Sequence, residues 1–94
     1  MESLSGRVAL VTGAGLGIGQ GIAIELAKQG MKVGVHYASS DTGARETLRA
    51  IEQAGGEAVL LHADLREVAA CRQAVDDVAA RFGGLDVLVN NAGV

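Results

Sequence analysis

Proline and tryptophan are absent from this chain of 94 residues, and cysteine, tyrosine and phenylalanine each occur once. Each scarcity removes a class of protein. A lone cysteine, Cys71, cannot build a disulfide framework, so a reducing compartment fits and the expected location is cytoplasmic. Two single-ring aromatics are too few for a base-stacking RNA surface. The net charge of −3 also lacks the basic excess that a phosphate backbone demands, so nucleic acid is not an expected partner. No apolar run approaches the roughly 20 residues of a membrane helix, and no membrane partner is expected. The opening Met1-Glu2-Ser3-Leu4-Ser5 has neither the basic region nor the apolar core of a secretory signal. Repeats, low-complexity tracts and linkers are missing too, and one domain is expected over residues 1–94.

What is present is aliphatic and rich in glycine: 49% of residues are hydrophobic and 14 are glycine. The run Val8 to Val11 reads as a strand buried on both faces. It meets a loop with glycine at 13, 15, 17 and 19, and an apolar helical period begins at Ile18. A strand entering a glycine-rich turn that opens a helix is suited to holding phosphate. Glycine permits positive φ and close approach of a ligand to the main chain. The helix start adds unpaired N–H groups and the positive end of its dipole. The loop is therefore assigned to phosphate, with Gly13, Gly15, Leu16, Gly17 and Ile18 as its contacts.

The remainder divides into further strand–helix units. The first strand spans 7–12 and the first helix 17–29, with Ile18, Ile22 and Leu26 on one stripe and Gly30 as its left-handed terminator. The second strand is 32–37, where Val33, Val35 and Tyr37 share a face, followed by the turn and cap residues Ser39, Ser40 and Asp41. The second helix, 41–54, turns Ala44, Leu48 and Ile51 inward and stops at Gly55-Gly56. A third strand spans 57–62, and a third helix, 66–82, carries Val68, Cys71, Val75, Val78 and Phe82 on one stripe. Gly83-Gly84 end it before a fourth strand from Asp86 to Asn90. The order βαβαβαβ with short connections predicts right-handed crossovers and a parallel sheet. The fold class is α/β: a Rossmann-type, three-layer parallel sheet with strands in the order 3-2-1-4, an incomplete half of a doubly wound fold. Ligands in such sheets sit beyond the carboxyl ends of the strands.

The loop spacing matches neither G-x-G-x-x-G nor the P-loop pattern. It does match T-G-x-x-x-G-x-G, as Thr12, Gly13, Gly17 and Gly19. With the later Asn90-Asn91-Ala92-Gly93, the chain resembles the short-chain dehydrogenase/reductase family over its whole length, and with Val35-His36-Tyr37-Ala38-Ser39-Ser40 it leans to the 3-oxoacyl-thioester reductase and sugar-dehydrogenase side. The resemblance implies a nicotinamide dinucleotide as cofactor and hydride transfer between it and a carbonyl or alcohol carbon. Asp64 and Leu65 would flank the adenine, and Asn90, Ala92 and Gly93 would close over the adenosine ribose.

The end of the second strand, with Tyr37 and Ser39, should choose between cofactors. An acid about 20 residues past the glycines would bind the ribose 2′-OH and repel a 2′-phosphate. Tyr37 stands there, 18 residues after Gly19, and Ser39 and Ser40 can donate to phosphate. NADP(H) is therefore expected to be favoured over NAD(H), although Leu16 fills a place often basic in phosphate-selective members and Arg45 is a helical turn away.

The family's catalytic serine and Tyr-x-x-x-Lys have no counterpart here. The one tyrosine, Tyr37, has Asp41 four residues on, so no catalytic residue is assigned. Two readings follow. In one, the chain is the amino-terminal cofactor-binding part of an NAD(P)(H)-dependent oxidoreductase. In the other, it is a non-catalytic nucleotide-binding or interaction module. An assay for hydride transfer separates them. Full-length relatives are expected to be homo-oligomeric, and an uncovered fourth strand should leave this chain association-prone.

The other polar candidates receive plainer roles. Cys71 is expected in the core. His36 and His62 lack partners at metal-ligand spacing, and no metal site is expected. Asp76 and Asp77 are solvated. Asp64 is assigned to ligand binding, to capping of the third helix, or to both, and Arg66 has no functional account.

Overall fold

The computed structural model describes residues 4–91. Its elements are β1 (Val8–Val11), α1 (Gly17–Lys28), β2 (Lys32–Tyr37), α2 (Asp41–Gln53), β3 (Ala58–His62), α3 (Val68–Phe82) and β4 (Val87–Val89). The strands form one sheet in the order β3-β2-β1-β4, and every pairing is parallel. This is the expected order: right-handed crossovers set β2 beside β1 and β3 beside β2, and the connection through α3 then carries β4 back across the sheet to the free side of β1. All four strands consequently end on one rim.

Strand alternation sorts the side chains into two layers. Ala9, Val11, Val33, Val35 and Ala58 face α1 and α2, where they pack with Ala23, Ala27, Ala44 and Ile51. Val8, Leu10 and Leu61 face the other way, toward Val78 of α3. Both central strands are covered on both sides, which is why β1 reads as an unbroken apolar run with all four residues buried.

Two helices sit differently from their apolar stripes. On α1 the buried residues are Gly19, Ala23 and Ala27, whereas Ile22 and Leu26 lie at the margin of the core and Ile18 is 77% exposed. Small residues let the helix backbone come close to the sheet, and the larger ones are displaced to its flanks. On α3 the buried pair is Ala74 and Val78, and Val68 is exposed. Cys71, expected in the core, is only half-buried. Together with Val75 and Leu88 it lines an open cavity of about 260 Å³ between the first half of α3 and β4.

Helix ends follow their glycines more closely. Gly30 closes α1 as expected, its N–H bonding the Ala27 carbonyl while the Met31 N–H reaches back to Leu26. The start of α3 moves from 66 to 68, with Glu67 as N-cap and no side-chain cap. Asp64, a candidate cap for this helix, instead accepts the Arg66 N–H at 3.0 Å and forms a local turn before it.

Candidate functional site

Residues 12–19 lie at the carboxyl rim and join β1 to α1. Two of their glycines are required by conformation: φ is +63° at Gly13 and +49° at Gly17. Two others are required by proximity. A Cβ on Gly15 would stand 2.8 Å from the Ser40 carbonyl oxygen, and one on Gly19 would overlap the Gly13 carbonyl and lie 2.5 Å from Asn91 Nδ2. The sequence suggested freedom of φ and room for a ligand; at Gly15 and Gly19 the room is needed by the protein's own Ser40, Gly13 and Asn91.

The loop's donors define its chemistry. The N–H of Gly13 bonds His36 Nδ1 at 3.0 Å, and that of Ala14 bonds the His36 carbonyl at 2.9 Å. The next five amides, from Gly15 to Gly19, donate to no protein group among the described residues. The N-cap of α1 is Leu16, which offers no side-chain acceptor, and its first turn holds no acid. A row of unpaired N–H groups at the positive end of a helix dipole is a site for an anion.

Neighbouring elements hold this row in place. Thr47 Oγ1 donates to the Ala14 carbonyl at 2.8 Å and Gln20 Nε2 to the Gly43 carbonyl at 3.2 Å. Gly43 of α2 lies directly against Gly15, where a Cβ would overlap the Gly15 carbonyl. Asn91 Nδ2 donates to the Gly13 carbonyl at 3.2 Å, and Thr12 Oγ1 to that of Val89 at 3.2 Å. Sequence reading singled out neither Thr47 nor Gly43. A polar residue between Ala44 and Ile51 on an otherwise apolar stripe was the available signal.

Some of the expected cofactor residues meet at this loop. A cavity of about 190 Å³ opens between it and residues 36–40, lined by Gly13, Gly15, Leu16, Tyr37 and Ser39. Leu16 and Ile18 are exposed beside it, and the Tyr37 ring lies 5.1 Å from that of His62. His62 in turn approaches the Ala38 carbonyl at 3.0 Å. Arg45 is paired with Asp41 at 3.1 Å and faces solvent.

At the end of β3, Asp64 takes a two-pronged hydrogen bond from Arg66, with Nε at 3.0 Å and an NH2 nitrogen at 2.8 Å. Those guanidinium bonds, followed by the Arg66 backbone N–H, hold the Asp64 carboxyl down from the usual 3.8 to about 2, and it stays ionised at the rim. Leu65 is half-buried, and its carbonyl receives the Cys71 thiol at 3.4 Å. Asn90 is exposed at the end of β4, while Ala92 and Gly93 fall outside the described residues.

A wider cleft of about 450 Å³ lies at the opposite end of the strands, between the carboxyl ends of α1 and α2. Helix ends there present carbonyls, the wrong polarity for phosphate, so the rim is the better candidate. Among the described residues no group of three or more His, Cys, Asp or Glu could hold a metal, and no helix is long and apolar enough to cross a membrane.

A parallel sheet in the order 3-2-1-4 with an anion cradle after its first strand places the molecule in the Rossmann class of α/β proteins. The family model of the short chain dehydrogenases matches residues 7–94, and the chain belongs to that family. It is 50% identical over 94 residues to an uncharacterized oxidoreductase of Methylorubrum extorquens, covering all of this chain and 38% of the relative. It is 48% identical over 91 residues to a probable tetrahydroxynaphthalene reductase of Zymoseptoria tritici, covering 97% of this chain and 34% of the relative. Among solved structures, a short chain dehydrogenase of Burkholderia cenocepacia in complex with NADP superposes with a TM-score of 0.93 at 46% identity, covering 99% of this chain and 38% of that one. The chain thus spans little more than a third of the length of the relatives it matches.

Proposed function

We propose that this chain is the amino-terminal, cofactor-binding part of an NAD(P)(H)-dependent oxidoreductase. The observation that carries the reading is the row of five unpaired amides from Gly15 to Gly19 at the positive end of α1. These amides would take the pyrophosphate. Leu16 and Ile18 would flank it, Tyr37 and Ser39 would face the adenosine ribose, and Asp64 with Leu65 would border the adenine. Asn90, with Ala92 and Gly93, would close the far side.

When bound, the nicotinamide supplies the hydride exchanged with a carbonyl or alcohol carbon of the substrate. The chain's own share is binding and orientation. It contains no Tyr-x-x-x-Lys, since Tyr37 is followed at four residues by Asp41. NADP(H) is the favoured form on this reading. No carboxylate at position 37 repels a 2′-phosphate, and the exposed Ser39 can donate to one. That the Burkholderia cenocepacia relative was solved with NADP is in keeping with this preference.

Titration of the chain with NADPH and NADH by calorimetry tests both levels. The expected result is binding of both, tighter for NADPH, with Tyr37→Asp reversing the order. Equal loss for both cofactors in that variant would remove the preference. Absence of binding to either would remove the reading itself.

A further inference from the structure

Among the described residues His36 is the one titratable side chain buried at the rim, at 1% exposure, and the proposed chemistry does not use it. Its two ring nitrogens are both engaged. Nδ1 faces the Gly13 N–H at 3.0 Å, and Nε2 lies 2.8 Å from the Ala63 carbonyl oxygen. An amide N–H can only donate and a carbonyl can only accept. The ring must therefore keep a lone pair on Nδ1 and its single proton on Nε2. A cationic ring would set one N–H against another at Gly13. No carboxylate lines the cavity that His36 shares with Leu10, Leu65 and Cys71 and that would offer such a cation a partner.

Gly13 is held at both of its backbone groups, its N–H by His36 and its carbonyl by Asn91 at 3.2 Å, so the peptide planes on either side of it are both fixed. At a φ of +63° and with no Cβ, this residue has little of its own to fix its orientation. Two residues later the row of unpaired donors begins. We infer that His36, as the neutral Nε2–H tautomer, is a positioning residue that orients the Gly13 peptide and so aims the amides of the anion cradle. The bond onward to Ala63 braces the ring against the end of β3, which ties three strand ends together. The inference rests on the dinucleotide reading and extends it to a residue outside the glycine loop.

The variants separate acceptor from bulk. His36→Asn puts Oδ1 where Nδ1 stands, keeping the acceptor for Gly13 and losing the reach to Ala63. His36→Leu keeps comparable volume and leaves the Gly13 N–H buried without a partner. With NADPH as the probe in calorimetry, the leucine variant should bind about tenfold more weakly, the scale set by an unsatisfied buried donor. The asparagine variant should stay within about threefold of the parent chain, well inside that penalty. Long-range proton–nitrogen correlation spectra of the parent chain should show the His36 proton on Nε2. A proton on Nδ1 overturns the inference, as does a folded leucine variant that binds NADPH like the parent. Should the leucine variant fail to fold, a tenfold loss in the asparagine variant overturns it and retained binding upholds it. A parent chain that binds no NADPH removes the dinucleotide reading first, and is told apart by that control alone.

Discussion

The two faces of the sheet are built to different standards. On the α1/α2 face, eleven described residues form one continuous buried cluster that runs up to the glycine loop. On the α3 face the corresponding cluster has four, and β4 beside it leaves Leu88 56% exposed. The candidate anion cradle leans mostly on the well-packed side: α2 presses Gly43 and Thr47 onto residues 14 and 15, and α1 begins inside the loop, while Asn91 past β4 adds one bond to the Gly13 carbonyl. A row of amides binds an anion well only if it does not have to reorganise to do so. Dense packing is needed behind the cradle; the α3 face carries less of that demand.

That contrast can be broken most directly at Gly43. Alanine should favour the α2 helix by about 1 kcal/mol on intrinsic propensity. Its Cβ would nevertheless overlap the Gly15 carbonyl, which is backbone and cannot move aside cheaply. Overpacking of this kind costs about 3 kcal/mol, so a net destabilisation of about 2 kcal/mol is expected in urea unfolding, with loss of NADPH binding. Equal stability and binding in Gly43→Ala would show that the loop is not held by α2.

Ile51, fully buried on the same face, sharpens the comparison through its energy alone. Ile51→Ala should cost about 3 kcal/mol from lost transfer and the cavity left behind. Leu88→Lys on the open side should shift stability by less than about 0.5 kcal/mol. If β4 is an edge on which copies associate, the lysine should also reduce that association in sedimentation. Similar costs at the two positions would mean that the faces are equally packed.

The smallest effect is expected at the Asp64–Arg66 pair, which lies in solvent. The Asp64 carboxyl is lowered in the folded chain, so its contribution is present above the usual 3.8 and lost as pH falls toward about 2. Solvent screening keeps that contribution minor. Arg66→Ala should return the Asp64 titration toward its ordinary value in carbon-detected spectra. Its stability at neutral pH should barely change. An unaltered titration would show that the guanidinium is not what holds the carboxylate.

Legibility in the sequence varied with how local each signal was. The loop at residues 12–19 was readable because positive φ and helix initiation are properties of a short segment. The stripe of α2 was readable in period and depth, with Ala44 and Ile51 buried, whereas those of α1 and α3 were readable in period alone. Ile18, Ile22 and Leu26 share a face, yet the residues nearest the sheet are Gly19, Ala23 and Ala27. Hydropathy marks the more apolar side chains, whereas close approach selects the smaller ones. Arg66 had no evident role until its guanidinium was found on Asp64 two residues earlier.

The sequence by itself determined the order of elements, the parallel right-handed connections between them, and the glycine loop that joins the first strand to the first helix. These follow from periodicity, turn chemistry and chain connectivity, which act over a few residues or one crossover. Only the tertiary structure decided that Gly19 and Gly43 are needed for space, that Thr47 reaches Ala14, and that His36 meets Gly13 with one ring nitrogen and Ala63 with the other. Each of those depends on the distance between segments remote along the chain, and a pattern of side chains along one segment carries no measure of how near another will come.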